Sequence, residues 1–84
     1  MATATLKLFA LLGVHLPPGS VGNATGVEVG DGTTVARLIA GSGLNDKDCH
    51  LVLLNGRFIG PDARATTMVA GGDVVSIWPP IGGG

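Results

Sequence analysis

The stretch Gly72-Asp73-Val74-Val75-Ser76-Ile77-Trp78-Pro79-Pro80-Ile81-Gly82-Gly83-Gly84 runs a strand straight into a bare tail. Gly71-Gly72-Asp73 reads as a turn, and Val74 to Trp78, apolar apart from Ser76, reads as a buried strand. Proline has no N–H to give a ladder, so Pro79-Pro80 stops that strand and holds its exit extended. The glycines beyond carry no Cβ and add nothing to a core. Their virtue is slimness: such a segment threads a narrow channel in another protein and presents its last carbonyl carbon there. From Pro79 to Gly84 the reach is at most about 20 Å, at roughly 3.3–3.6 Å per residue. Taken alone, three glycines read first as a frayed end, a linker remnant or an expression scar, and the rest of the chain changes that reading.

Working back from this stretch, His50-Leu51-Val52-Leu53-Leu54 reads as a buried strand. Asn55-Gly56, both tolerant of positive φ, is the turn of a hairpin returning through Arg57-Phe58-Ile59. Gly60-Pro61-Asp62 halts it, and Arg64 to Val69 is irregular. Val35, Leu38 and Ile39 fall at i, i+3 and i+4, one apolar stripe of a helix capped by Thr33 or Thr34 and ended by Gly41 and Gly43. At two to three turns, that helix needs tertiary packing to persist. Thr5 to Leu12 alternates and then turns wholly apolar, which predicts a first strand. Val27-Glu28-Val29 is a short second strand, reached by a long loop from His15 to Gly26. The order β-β-α-β-β-β predicts an α+β, β-grasp (ubiquitin-like) roll, a mixed sheet of about five strands packed on one helix. The first and last strands, the most apolar, are expected side by side at its centre. Residues 1–79 form the β-grasp domain, and residues 80–84 an extended, flexible C-terminal glycine tail.

Composition narrows the function. The chain of 84 residues is one small domain, 45% apolar and 13% charged, with Phe9, Phe58 and Trp78 as its aromatics. A net charge of −1 offers no electrostatic footprint for nucleic acid or an anionic membrane. No apolar stretch approaches the roughly 20 residues that span a bilayer, and Lys7 interrupts the N-terminal patch. A cytoplasmic protein, monomeric when free, is expected. Asp46, Asp48, Cys49 and His50 crowd one segment without metal-ligand spacing, so no metal site is expected. A single cysteine excludes a [2Fe–2S] cluster, and Cys49 reads as a half-buried small hydrophobe rather than a thiolate. His15 and His50 stand isolated, no serine sits in a nucleophile elbow, and no glycine cluster has the phosphate-cradling pattern. The sequence carries no self-contained active site.

Leu8-Phe9-Ala10, Thr34-Val35-Ala36-Arg37-Leu38-Ile39, Leu54-Asn55-Gly56, Gly72-Asp73-Val74-Val75 and Pro79-Pro80-Ile81-Gly82-Gly83-Gly84 follow one another in this order. Together they resemble the ubiquitin-like sulfur carriers, such as the molybdopterin synthase small subunit and the thiazole-forming carrier of thiamine synthesis. The likeness to the molybdopterin synthase small subunit is nearest. The resemblance implies a non-catalytic carrier that binds no cofactor of its own. An E1-like adenylating enzyme would use ATP to make an acyl-adenylate at Gly84, and a sulfur donor would convert it to a thiocarboxylate. Pro79, Pro80, Ile81, Gly82 and Gly83 would thread the partner's site. In the molybdopterin branch the acceptor is the synthase large subunit; elsewhere it is an analogous sulfur acceptor. Pro79-Pro80 and the long first loop favour the pterin-cofactor branch, for molybdenum or tungsten, over the thiamine thiazole carriers. A non-covalent ubiquitin-like binding module is the alternative from a different class. Departures from the family pattern are Ala10-Leu11-Leu12-Gly13, where an Arg-Glu pair is usual, and a less acidic helix face. Trp78 reads either as core or, with Phe9 and Phe58, as an exposed apolar patch around which a partner closes.

Overall fold

Ala4, Leu6 and Leu8 alternate with Thr3, Thr5 and Lys7, and this period of two makes a strand with one buried face. A computed structural model of the chain describes residues 2–80 and places all three apolar residues in the core. The strands are β1 (Ala2–Leu8), β2 (Ala24–Val29), β3 (Leu51–Leu54), β4 (Arg57–Phe58) and β5 (Val74–Trp78), and the helix is α1 (Val35–Gly41). Single-turn 3-10 segments lie at Asp46–Asp48 and Pro61–Ala63, and a longer one at Ala10–His15. The sheet order is β2-β1-β5-β3-β4. β1 and β5 run parallel at its centre, with Leu8 opposite Ile77, and every other pair is antiparallel. This is the β-grasp arrangement predicted from the element order.

The helix buries Val35, Leu38 and Ile39 against Val52, Val75 and Ile77, all in one core. At seven residues it depends on its surroundings. Thr34 caps it, its hydroxyl accepting from the Arg37 N–H at 3.2 Å. The next two N–H groups, of Val35 and Ala36, donate to the carbonyls of Thr67 and Arg64 at 2.9 and 2.8 Å. The irregular segment after β4 thus satisfies donors that a helix start leaves open. Thr33, the other candidate cap, instead accepts from the Gly30 N–H. Asn55 (φ 52) and Gly56 (φ 84) form the expected hairpin turn.

Two expectations are corrected. The first strand ends at Leu8, not Leu12: Ala10 adopts φ 53 and the chain winds into the 3-10 segment. The physical reason lies in the neighbouring strand. The Phe9 N–H donates to the Ile77 carbonyl at 3.1 Å, and the next parallel bond needs an N–H from Pro79, which has none. Diproline therefore ends two strands at once. Leu12 turns back into the core while Leu11 is 83% exposed. The second strand, in turn, starts at Ala24, earlier than read, because its register with β1 runs to the Ala24–Lys7 pair.

Candidate functional site

The last ladder bonds of β5 define the root of the tail. On one side Phe9 donates to the Ile77 carbonyl, and on the other His50 donates to the Trp78 carbonyl at 2.9 Å. The strand is therefore held on both sides up to the residue before Pro79. Phe9 and Trp78 stack with centroids 4.1 Å apart and planes within 6°, each half-buried. Both project from the sheet face opposite the helix, since Leu8 and Ile77 before them are buried. Pro79 is half-buried and Pro80 exposed.

Register places Phe58 on that same open face. Leu53 lies opposite both Phe58 and Ser76, and Leu51 lies opposite Trp78. Leu51, Leu53, Phe58, Trp78 and Phe9 thus share one face, with Phe58 58% exposed. Of the aromatics singled out in the sequence, the structure brings Phe9 and Trp78 into contact and sets Phe58 apart, across β3. Ile81, Gly82, Gly83 and Gly84 lie outside the described residues.

Sequence reading gave Arg64 no role, yet it is 3% exposed. Its Nη1 donates to Asp46 Oδ1 at 2.9 Å and its Nη2 to the Cys49 carbonyl at 2.7 Å. This pins the segment entering β3, next to the His50 that holds Trp78. An arginine among loop residues carries no local sign of burial, so only the fold reveals it. Cys49 itself is buried rather than half-buried, a member of the core cluster that also holds Leu38, Ile39 and Leu44. Burial pushes its thiol pKa up, nearby Arg64 opposes this, and Asp46 and Asp48 add to it. A buried, protonated thiol is not a nucleophile. Among the described residues no three His, Cys, Asp or Glu side chains gather to hold a metal, and no helix is long and apolar enough to cross a membrane.

The structure is similar to that of SAMP1 from Haloferax volcanii, with 25% identity over 99% of this chain and 100% of that one, at a TM-score of 0.67. A protein described as a molybdopterin converting factor subunit 1, from Pyrococcus furiosus, shares 20% identity over 96% of this chain and 100% of that one, at 0.67. The thiamine biosynthesis protein ThiS from Geobacter metallireducens shares 22% over 95% and 99%, at 0.60. The last two likenesses speak for the fold alone. No curated protein sequence matches the chain significantly. The sequence pattern of the ThiS family, however, matches residues 18–84, from the loop before β2 through the glycines. The chain belongs to the ThiS family, as a ubiquitin-like sulfur carrier of the ThiS/MoaD type.

Proposed function

We propose that Gly84 supplies the working atom, its carboxyl carbon, and that this carrier delivers sulfur for a molybdopterin-type cofactor of molybdenum or tungsten. The observation that carries this reading is the root of the tail. β5 is bonded on both sides through Trp78 and its ladder is then ended by two prolines, so the chain is anchored up to the residue that precedes the Pro79-Pro80-Ile81-Gly82-Gly83-Gly84 segment. A carboxylate is a poor electrophile until an activating enzyme makes it an acyl-adenylate. Hydrosulfide released by a sulfur donor then attacks the acyl carbon, the C–O bond to AMP breaks, AMP leaves, and loss of the sulfur's proton leaves a thiocarboxylate. The body adds no acid, base or metal to this step; its part is to dock and to aim. Docking falls to the open face, where Trp78, Phe9 and Phe58 present apolar surface to an activating enzyme and then to a sulfur acceptor. The long connection from Phe9 to Asn23, together with the diproline, supports the pterin branch over the thiazole carriers.

Incubation with a cognate activating enzyme, ATP and a sulfur donor is expected to raise the intact mass by about 16 Da, the exchange of oxygen for sulfur at an activated carboxyl. Removal of Gly84 is expected to abolish the gain with the fold intact. Normal cofactor synthesis by the truncated chain would overturn the proposal. The likeness to SAMP1, also known as small archaeal modifier protein 1, supports a second reading in which the activated carboxyl passes to a lysine amine. A stable isopeptide adduct would select that reading.

A further inference from the structure

β2 is an edge strand, and its outward main-chain groups can be assigned from the ladder. Thr3 accepts from Gly72 and Thr5 donates to Asp73, so the odd-numbered residues of β1 face β5. The even-numbered ones face β2, as the Leu8 to Asn23 bond confirms. The register then turns Thr25, Val27 and Val29 toward β1 and leaves Ala24, Gly26 and Glu28 facing out. Both ends of this edge are closed by the chain itself. Ala24 exchanges two bonds of 3.1 Å with Val21, and Gly30 is paired to the backbone and hydroxyl of Thr33. Between those closures, the N–H and C=O of Gly26 and of Glu28 have no hydrogen-bond partner among the described residues.

A groove runs beside this window, between β2 and α1. It has two adjoining hollows of about 390 and about 240 Å³, which share Val27, Gly41 and Ser42 as walls. Val27 alternates with Gly26 and Glu28, so its side chain faces the groove; Gly26 carries none, and Glu28, whose side chain starts on the open face, borders the larger hollow as well. At Gly41 no atom from beyond its own helix turn lies within 4 Å of where a Cβ would stand, so that wall faces open space. Arg37 rims the larger hollow, exposed and in no ion pair among the described residues.

We propose that the Gly26–Glu28 edge and the groove beside α1 dock an extended segment of a partner protein as a sixth strand, with an aliphatic side chain over Val27 and a carboxylate at Arg37. Unpaired donors and acceptors in strand register recognise another backbone, not a small molecule, and the hollows beside them select its alternate side chains. A second copy of this chain fits less well. Two-fold pairing about Val27 would set Gly26 opposite Glu28 and bring two Glu28 carboxylates diagonally together, roughly 7–8 Å apart, with no cation between them. The window lies beside the start of β5, since Gly26 pairs Thr5 and Thr5 pairs Val74. It is thus at the opposite end of β5 from Trp78, the last residue of that strand.

The test uses the isotope-labelled full chain and a synthetic capped peptide of alternating valines flanked by an aspartate. Titration is expected to shift the amide signals of Gly26, Val27, Glu28, Gly41 and Ser42 and to slow amide exchange at Gly26 and Glu28. Glu28→Pro removes one outward donor but no ladder bond to β1, and is expected to weaken binding about tenfold, as for one lost backbone hydrogen bond. Glu28→Ala should bind as the native chain does. Gly26 is left alone because a Cβ there would lie 3.2 Å from Thr3 Cγ2. Arg37→Glu should weaken the aspartate peptide and favour one carrying lysine instead, which tests the proposal even if the proline variant does not fold. Shifts confined to Phe58 and Trp78, no shifts at all, or concentration-dependent shifts without peptide would each overturn it, the last by naming a second copy as the occupant.

Discussion

Replacing Phe9 with alanine tests whether the aromatic stack fixes the tail root. The parallel rings at 4.1 Å are lost, and such pairs contribute about 0.5–1.5 kcal/mol beyond their buried area. Phe9 is half-buried, so about half of the roughly 1.5–3 kcal/mol of a fully buried side chain goes as well. The sum is about 2 kcal/mol, a fall in melting temperature of about 8–16 °C for a domain of this size. Phe9→Leu keeps most of the apolar contact and loses only the stack, so about 1 kcal/mol is expected. Circular dichroism during thermal and urea unfolding gives both numbers. Fluorescence gives an independent local signal, because Trp78 is the only tryptophan, and its emission should shift to the red in both variants. An alanine variant within about 0.5 kcal/mol of the native chain, with unchanged emission, would refute the claim that the stack holds the tail root.

Arg64→Ala leaves the Cys49 carbonyl without its donor and opens a void, and is expected to cost about 2–4 kcal/mol in urea unfolding. Asp46→Ala should cost less than about 1 kcal/mol, because Asp46 is exposed and exposed pairs contribute little; equal losses would contradict this division. The Asp73 carboxyl is held below its ordinary value near 3.8, first by the Ala70 N–H and then by Asn55. A depressed folded-state pKa means that its stabilisation is complete above the unfolded value and disappears as the pH falls through the folded one. The stability gap between the native chain and Asp73→Asn should therefore be widest near neutral pH and close on acidification below about pH 4. A gap independent of pH would count against it.

What was legible in the sequence was local. The stripe of Val35, Leu38 and Ile39 and the Asn55-Gly56 turn depend on neighbours a few residues away, and both were found where read. The end of β1 was hidden because Leu11 and Leu12 continue an apolar run. What stops the strand is a missing donor at Pro79, distant in sequence and adjacent in space. Arg64 was illegible for the same reason, with partners 15 and 18 residues earlier. The open window at Gly26 and Glu28 was equally hidden, since it exists only between two turns that close the edge on either side. The tail motif, in contrast, is a composition signal and needs no geometry to be seen.

The parallel pairing of β1 with β5 joins the two ends of the chain at the middle of the sheet. During synthesis β1 must wait for nearly all the rest to emerge before its central neighbour exists, and contacts so distant in sequence form slowly. A nascent or clipped polypeptide lacking β5 loses the strand that joins the β1–β2 half to the β3–β4 half. Assembly of the body is thereby gated by β5, the strand that leads into the tail, so a chain cut before Val74 is scarcely a folded chain at all, whereas one cut after Pro80 keeps every strand of the sheet.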